Sequence, residues 1–204
     1  MKKVSVVIPM YYEQEVVDVC YKRVKKVLDE LKEKYEHEII FINDGSKDKT
    51  LDILQDIAKV DKNVKIISFS RNFGHQAAVT AGLKYVTGDA IIIIDADLQD
   101  PPELIPDMIE KWEQGYEVIY GKRKKRNGES AFKLLTAKAF YTTLNKLSDV
   151  DIPGDTGDFR LVDKKVVDVI NSLPEHNKFL RGLFSWVGFE QYEYEYCLLY
   201  TSDA

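Results

Sequence analysis

Residues 90–103 read Ala-Ile-Ile-Ile-Ile-Asp-Ala-Asp-Leu-Gln-Asp-Pro-Pro-Glu, an apolar run that changes abruptly into acids. The run has the length of a buried strand, and the acids stand where that strand would emerge. Carboxylates at such a place are costly without a cation, and oxygen ligands suit Mg²⁺ or Mn²⁺. In an extended segment, Asp95, Asp97 and Gln99 would point to the same side. The stretch therefore predicts a divalent-metal site at the end of a buried strand.

The last acid of the stretch has a different explanation. Asp100 precedes Pro101, and Glu103 follows three residues later, which is the outline of a helix N-cap with a capping box. We therefore expect Asp100 to cap a helix. An EF-hand is a poor alternative, because Asp100 stands where glycine is needed and Pro106 where the bidentate glutamate is needed.

Strands and helices alternate through residues 1–121. The predicted strands are Val4–Pro9, Glu38–Asn43, Val64–Ser70, Asp89–Ile94 and Tyr116–Gly121. The predicted helices are Gln14–Tyr35, a helix from a Ser46 cap to about Val60, Gly74–Val86 and Pro101–Gln114. Such alternation predicts an α/β fold with a mostly parallel sheet flanked by helices on both faces.

The pattern changes after residue 121. A basic run, Lys122–Arg126, precedes a helical pattern, Ser130–Ser148, and a loop, Asp149–Asp158, that is rich in Gly, Asp and Pro. A short strand pattern (Phe159–Asp163), a helix (Lys164–Leu173) and an aromatic, partly strand-like segment (Lys178–Tyr196) complete the chain before its last eight residues. We interpret residues 1–121 as a nucleotide-binding core and the residues after 121 as an addition that binds the acceptor substrate.

Composition limits the class of protein. The 204 residues are 45% hydrophobic and 31% charged, which is typical of one sizeable soluble domain. The net charge of −5 argues against nucleic-acid binding. Cys20 and Cys197 match no metal or redox spacing, so a reducing, cytoplasmic setting is expected. We find neither a signal peptide nor an apolar run of the ~20 residues that would cross a bilayer.

Three polar clusters follow predicted strands: Pro9–Glu13, Asn43–Ser46 and Asp95–Gln99. Ligands of open parallel sheets bind beyond the carboxyl ends of the strands, so all three clusters should line one crevice. Taken alone, Asp44-Gly45-Ser46 also fits a plain turn with a helix cap. Dinucleotide, Walker and nucleophile-elbow motifs are all missing from the sequence, which weakens dehydrogenase, kinase and hydrolase interpretations.

The same clusters carry a family resemblance. Val6–Pro9 with Glu13, Asp44–Ser46 and Asp95–Gln99 resemble family 2 glycosyltransferases of the GT-A (Rossmann-like) fold. Four longer strings resemble the polyprenyl-phosphate glycosyltransferases of that family, and they are Ser70–Gln76, Asp95–Glu103, Gly157–Leu161 and Phe179–Leu183. The resemblance covers roughly residues 3–196. Tyr12 departs from the usual Asn, and Asn43 stands where many members have Asp.

The resemblance implies a role for individual residues. Those expected at the nucleotide-sugar are Pro9, Tyr11, Glu13, Asp44, Asp95, Ala96 and Arg123. Asp97 and Gln99 would be the metal ligands, and Asp97 would thereby serve catalysis. Arg126 and Arg160 would bind the acceptor phosphate. Asp158 would be the base, although a lipid phosphate is largely ionised above its second pKa near ~6. Orienting the acceptor or the metal, or capping a loop, are therefore alternative roles for Asp158.

The resemblance also implies partners and boundaries. The donor would be a UDP-hexose or GDP-mannose, with UDP-glucose preferred, and the acceptor a polyprenyl phosphate such as undecaprenyl phosphate. Transfer would invert the sugar centre, while a glycan or protein acceptor, or donor binding without turnover, stay open. Residues 1–121 would bind the donor, residues 122–196 would bind the acceptor near the membrane, and residues 197–204 would be a disordered or non-native tail. We expect a cytoplasmic protein at the inner membrane face, and a homo-oligomer stays open.

Two features of the second half bear on membrane contact. Lys122–Arg126 is either a solvated surface loop or a site for an anionic lipid phosphate at a negatively charged leaflet. The apolar face of Ser130–Ser148 is either core or an interfacial surface beside that basic run. The sequence does not decide between these alternatives.

Overall fold

The computed structural model describes residues 1–123, 156–175 and 177–196. Its strands are β1 (Lys2–Met10), β2 (Tyr35–Asn43), β3 (Val64–Ser68), β4 (Ala90–Ile93), β5 (Val118–Arg123), β6 (Thr156–Asp163) and β7 (Gln191–Tyr196). Its α-helices are α1 (Val17–Glu30), α2 (Thr50–Val60), α3 (His75–Tyr85), α4 (Ile105–Glu113), α5 (Lys164–Ser172) and α6 (Leu180–Trp186). A short 3-10 helix, Pro102–Leu104, precedes α4.

The strands form one mixed sheet in the order β3-β2-β1-β4-β6-β5-β7. The pairs β3–β2, β2–β1 and β1–β4 are parallel, and β6 runs antiparallel between β4 and β5. The carboxyl ends of β1, β2 and β4 therefore meet at one edge, as the sequence predicts.

Helices cover both faces of this sheet. Alternate residues of β1 face opposite ways, so Val6 packs in one core cluster and Val7 in the other. The Val6 cluster includes buried residues of α1, α2 and α4, whereas the Val7 cluster includes buried residues of α3, α5 and α6. The prediction of a mostly parallel sheet flanked by helices is confirmed.

A buried carboxylate lies at the amino end of the strands, opposite the crevice. The Glu38 side chain in β2 accepts hydrogen bonds from Ser5 Oγ at 2.6 Å, Lys65 Nζ at 2.5 Å and the Thr87 backbone N–H at 2.7 Å. Lys3 Nζ lies 3.2 Å from the same carboxylate. Burial alone would raise the pKa of Glu38, but these hydrogen bonds outweigh burial and lower it to about 2. Glu38 therefore holds a charge that its neighbours balance.

Several predicted boundaries are wrong for identifiable reasons. The second helix begins at Thr50, not at Ser46, because the Ser46 Oγ accepts the Tyr12 backbone N–H at 3.1 Å. Asp48 Oδ1 instead accepts the Thr50 N–H at 3.1 Å. The first helix spans Val17–Glu30 and is shorter than predicted at both ends, and residues 31–34 form turns.

Part of the predicted second half lies outside the described residues. This applies to Lys124–Arg126 of the basic run, to the helix predicted at Ser130–Ser148, to most of the loop before Asp158 and to the predicted tail, residues 197–204. The segment predicted as partly strand-like contains α6 and then β7. Among the described helices, none combines the length and apolar character that a bilayer span requires.

Candidate active site

The three polar clusters line a single cavity of about 250 Å³ at the carboxyl edge of the sheet. The predicted residues that line it are Pro9, Tyr11, Glu13, Asp44, Asp95, Ala96 and Asp97. Met10, Asn72 and His75 contribute as well, although the sequence analysis assigned them no role. The predicted convergence of the three clusters is confirmed.

The turn after β1 presents the first cluster. Tyr12 has a φ of 57°, a left-handed conformation that turns the chain away from the strand direction. The Glu13 backbone N–H then donates to Thr50 Oγ1 at 3.0 Å, which fixes this turn to the start of α2. Tyr11 is 45% exposed beside the cavity. An exposed aromatic ring at this place can stack on a flat ligand such as a base.

Asp44 organises the second cluster. Its side chain is buried, and its two oxygens accept the backbone N–H groups of Phe73 at 2.7 Å and Gly74 at 2.9 Å. Gly45 has a φ of 71°, and a Cβ there would lie 2.3 Å from the Arg71 carbonyl carbon. Asp44 and Gly45 thus bring the segment before α3 against the end of β2. Asp44 holds this wall in place, and its contact with base or ribose stays a prediction.

The third cluster is a turn and not an extended segment. β4 ends at Ile93, Ala96 and Asp97 form a turn, and Leu98 has a φ of 56°. The expectation of an extended backbone is therefore wrong. Burial still alternates along the loop: Ala96, Leu98 and Asp100 are buried, whereas Asp95, Asp97 and Gln99 are more exposed. The predicted metal ligands, Asp97 and Gln99, and the predicted nucleotide contact, Asp95, are thus the side chains that the core does not enclose.

Asp100 is not the predicted helix cap. It is buried, and its Oδ1 accepts a hydrogen bond from the Tyr196 hydroxyl in β7. The following 3-10 helix begins at Pro102 without a side-chain cap. Glu103 does not complete a capping box, because both its oxygens accept from Arg23, each at 2.7 Å. The long-range partners of both acids replace the predicted local pattern.

His75, the first residue of α3, links two acids of the site. Its Nε2 lies 2.8 Å from Asp95 Oδ1, and its Nδ1 lies 3.7 Å from Asp158 Oδ2. The hydrogen bond with Asp95 raises the pKa of His75 and outweighs burial, which would lower it. Ligand atoms of His75, Asp95 and Asp158 lie within 4.8 Å of one another, so this group could hold a metal ion. Sequence analysis missed His75, although it stands in the string Ser70–Gln76.

Arg181 in α6 holds Asp158 from the other side. Its Nε donates to Asp158 Oδ1 at 2.8 Å and its Nη2 donates to Oδ2 at 2.9 Å. Burial would raise the pKa of Asp158, but these two bonds outweigh burial and lower it. Asp158 is thus kept ionised and fixed in orientation. Arg181 was also missed, and its only sequence signal was the string Phe179–Leu183.

Three arginines were predicted to contact phosphates, namely Arg123, Arg126 and Arg160, and Arg160 is the one whose side chain the structure describes. Arg160 is buried; its Nη2 donates to the Gly157 carbonyl at 3.1 Å, and its guanidinium lies 4.7 Å from the Phe184 ring centroid. Arg160 thus shapes the loop that carries Asp158, and its contact with an acceptor phosphate stays a prediction. Arg123 is the last residue of β5, and Arg126 lies outside the described residues.

Negative charge accumulates in the cavity. Burial raises the pKa of Glu13, and the charges of Asp97, Asp48 and Asp95 raise it further. Oxygen donors at this density fit a divalent cation, because the cation would relieve the repulsion that they share. Among the described residues, the site therefore has both the ligand atoms and the negative charge that attract a divalent cation.

Comparison with known proteins identifies the family. The model of "Glycosyl transferase family 2" matches residues 5–170. A Bacillus subtilis protein named "Uncharacterized glycosyltransferase YkcC" is 57% identical over 94% of this chain and 59% of its own length. An Escherichia coli protein named "Prophage bactoprenol glucosyl transferase homolog" is 48% identical over 91% of this chain and 60% of its own. The chain thus spans about 60% of the length of these relatives.

A solved structure shares the fold. Glucosyl-3-phosphoglycerate synthase from Mycobacterium tuberculosis, in complex with Mn²⁺, UDP-glucose and glycerol 3-phosphate, superposes with a TM-score of 0.63. The match covers 100% of this chain and 73% of that protein at 16% identity, so it bears on the fold alone. Together with the sheet order and the matched family model, it shows that the chain is a GT-A domain and belongs to glycosyl transferase family 2.

Proposed function

We propose that this protein transfers a hexose from a nucleotide-sugar to a polyprenyl phosphate. The observation that carries the proposal is the single cavity lined by Glu13, Asp44, Asp95 and Asp97, with Asp158 held beside it through His75 and Arg181. The names of relatives at 48% identity, bactoprenol glucosyl transferases, support glucose as the sugar and a polyprenyl phosphate as the acceptor. UDP-glucose is accordingly the proposed donor.

The donor would lie across the cavity. Tyr11 would stack on the base, Asp44 and Pro9 would border the nucleoside, and the diphosphate would face the turn at Asp95–Asp97. Asp97 and Gln99 would hold Mg²⁺ or Mn²⁺, while Asp95, hydrogen-bonded to His75, would contact the nucleotide. Such a cation stabilises the negative charge that develops on the departing diphosphate. Arg123 would approach the same phosphates from the end of β5.

The chemistry is a displacement at the anomeric carbon of the sugar. An oxygen of the acceptor phosphate attacks that carbon while the bond to the nucleoside diphosphate breaks, so one displacement inverts the centre. The transition state should be oxocarbenium-like, as in glycoside hydrolysis. A phosphate acceptor is largely ionised above pH ~6 and needs little help from a base.

The role of Asp158 follows from its partner. A carboxylate whose pKa is lowered by Arg181 is a weak base, so Asp158 is better suited to orient groups than to remove a proton. We therefore assign Asp158 and Arg181 as a fixed pair that positions the acceptor against the sugar. Positioning of this kind lowers the entropic part of the barrier.

Sugar transfer can be measured directly. Incubation of the protein with UDP-[¹⁴C]glucose, Mn²⁺ and undecaprenyl phosphate should give an organic-extractable labelled lipid, and NMR of the product should show the β-anomer. Chelation of the metal should abolish transfer. Labelled product on a soluble glycan without any lipid product would contradict the acceptor assignment. Metal-dependent UDP binding without turnover would contradict the enzymatic proposal itself.

A separate thermal-unfolding screen identifies which nucleotide-sugar is the donor. Thermal unfolding with UDP-glucose, UDP-galactose, UDP-N-acetylglucosamine and GDP-mannose should show the largest increase in Tm with the true donor, because ligands stabilise the folded state that binds them. A larger shift with GDP-mannose than with UDP-glucose would overturn the choice of donor while leaving sugar transfer in place.

A further inference from the structure

A second and larger cavity, about 770 Å³, begins beside the donor cavity. It lies between α3, the residues after β3 and the segment that leads into α6. His75 lines both cavities, so the two adjoin at this side chain. Its volume falls within the ~300–1,000 Å³ typical of small-molecule sites.

The walls of this groove are mainly apolar. Phe73, Tyr85 and Phe179 line it and are 50%, 63% and 47% exposed, respectively. Ala77 and Ala81, one turn apart on α3, line the groove with small side chains, and we call this part its floor. Exposed large apolar side chains gathered in one place usually mark a binding surface.

The aromatic surface continues beyond the groove. An adjoining cavity of about 270 Å³ shares Asn177, Lys178 and Phe179 with it and adds Trp186, which is 58% exposed. The combined surface runs from His75 along α3 and past the start of α6. A surface built from two adjoining cavities offers contacts to successive units of a chain-like ligand.

Among the described residues, the formal charges that line the groove of about 770 Å³ are positive, whereas Glu175 lines the adjoining cavity. Lys84 and Lys178 line the groove, and no carboxylate does so among the described residues. Lys178 Nζ donates to the carbonyls of Ile170 and Leu173, each at 2.7 Å, and therefore serves the fold. The Arg71 guanidinium lies 3.9 Å from the Phe73 ring centroid and adds positive charge at the rim. Apolar walls with a cationic rim complement an anionic amphiphile.

We propose that this groove binds the hydrocarbon chain of the acceptor lipid, beginning with the isoprene units next to its phosphate. The phosphate would lie at the His75 end, where Asp158, held by Arg181, lies 3.7 Å from His75 Nδ1. The chain would extend over Ala77 and Ala81 between the rings of Phe73 and Phe179. The inference rests on the proposed function, and it adds where the lipid lies.

Chain-length discrimination tests the groove. Farnesyl phosphate and isopentenyl phosphate share a head group and differ by two isoprene units, so their affinity ratio measures contacts with the chain. In calorimetry with UDP and Mn²⁺ present, the wild type should bind farnesyl phosphate at least about tenfold more tightly. Ala81→Trp, which fills the floor, should reduce the ratio below about threefold without weakening isopentenyl phosphate.

Two controls accompany Ala81→Trp. Val60→Trp adds the same side chain at a position 83% exposed at the end of α2, and it should leave the ratio unchanged. Phe179→Ser removes one wall and should lower the ratio even if Ala81→Trp fails to fold. A ratio near one in the wild type, or a ratio that neither groove variant changes, would overturn the proposal.

Two further measurements distinguish this proposal from bilayer contact and from the proposed sugar transfer. In one outcome, the groove variants lose binding to phosphatidylglycerol vesicles while their affinity ratio for farnesyl over isopentenyl phosphate stays unchanged. That result would assign the surface to bilayer contact and overturn the lipid-groove proposal. Sugar transfer to undecaprenyl phosphate is measured in parallel. If sugar is transferred but the wild type binds farnesyl and isopentenyl phosphate equally well, the lipid-groove proposal is wrong and the proposed function stands. If the wild type prefers farnesyl phosphate at least about tenfold but transfers no sugar, the proposed function is wrong and the groove assignment stands.

Discussion

The two ends of the sheet hold carboxylates in opposite circumstances. At the amino end, Glu38 is buried among Ser5, Lys65, Lys3 and Thr87, and its pKa is lowered to about 2. At the carboxyl end, Glu13 faces other acids across a cavity, and its pKa is raised. Among the described residues, Glu38 has cationic partners at the amino end, whereas Glu13 has acidic neighbours at the carboxyl end.

This difference separates residues that serve the fold from residues that serve a ligand. A carboxylate with matched donors contributes to stability, because removing it strands the cations around it. A carboxylate among like charges costs stability until a cation arrives. Substitutions at the two ends should therefore have opposite effects on stability and on activity.

The largest effect is expected at the carboxyl end. Asp97→Asn removes a proposed metal ligand and should reduce sugar transfer by about 100- to 1,000-fold, with Tm unchanged or higher. Labelled-lipid formation and thermal unfolding measure the two quantities. Asp52→Asn, a matched change on α2 outside the cavity, should leave transfer unchanged. A lower Tm with full activity in Asp97→Asn would mean that this acid serves the fold.

The reverse result is expected at the amino end. Glu38→Gln leaves Lys65 and Lys3 without their counter-charge and should lower the free energy of unfolding by about 3 kcal/mol. Activity per folded molecule should be retained. Denaturant titration gives the first value, and transfer rates below the melting range give the second. Glu33→Gln, an exposed glutamate after α1, is the matched control and should change stability little.

Arg181→Lys sharpens the comparison, because it alters a matched pair inside the site. Lysine keeps the charge but cannot form the two parallel bonds to Asp158. Transfer should fall by about 10- to 100-fold, because the acceptor is positioned less well, while the affinity for UDP stays unchanged. Steady-state rates and UDP titration separate the two effects. A larger loss in UDP affinity than in kcat would place Arg181 on the donor.

The smallest effect concerns pH. The pKa of Glu38 is lowered in the fold from its ordinary 4.5 to about 2, so its contribution to stability is complete above pH 4.5. That contribution is lost as the pH falls toward about 2. The difference in unfolding free energy between the wild type and Glu38→Gln should therefore shrink over this window. A difference that grows on acidification would contradict the charge pairing described for Glu38.

Sequence alone was sufficient where the controlling interaction is local or periodic. The apolar run before Asp95 predicted a buried strand, and strand–helix alternation predicted the parallel sheet. Since parallel strands end at one edge, the meeting of Glu13, Asp44 and Asp97 at one cavity also followed. Neither inference needed a distance between side chains.

Sequence was insufficient where tertiary partners override local patterns. Asp100 and Ser46 both have the local context of a helix cap, yet their partners are Tyr196 and the Tyr12 backbone. Arg181 meets Asp158 only because α6 packs beside the start of β6. The sequence strings that contain Asp100, Asp158 and Arg181 supported the family resemblance. The spacing of residues along the chain, however, does not show which side chains are in contact.

The hydrogen bond from Tyr196 to Asp100 has a consequence for synthesis of the chain. β7 pairs with β5, so the last described strand closes against a sheet whose other members lie earlier in sequence. Its tyrosine joins the loop of Asp95, Asp97 and Gln99 across 96 positions. A chain emerging from the ribosome can complete this loop only after residue 196 has left the exit tunnel. The proposed donor site would therefore be completed only after residue 196 has been translated.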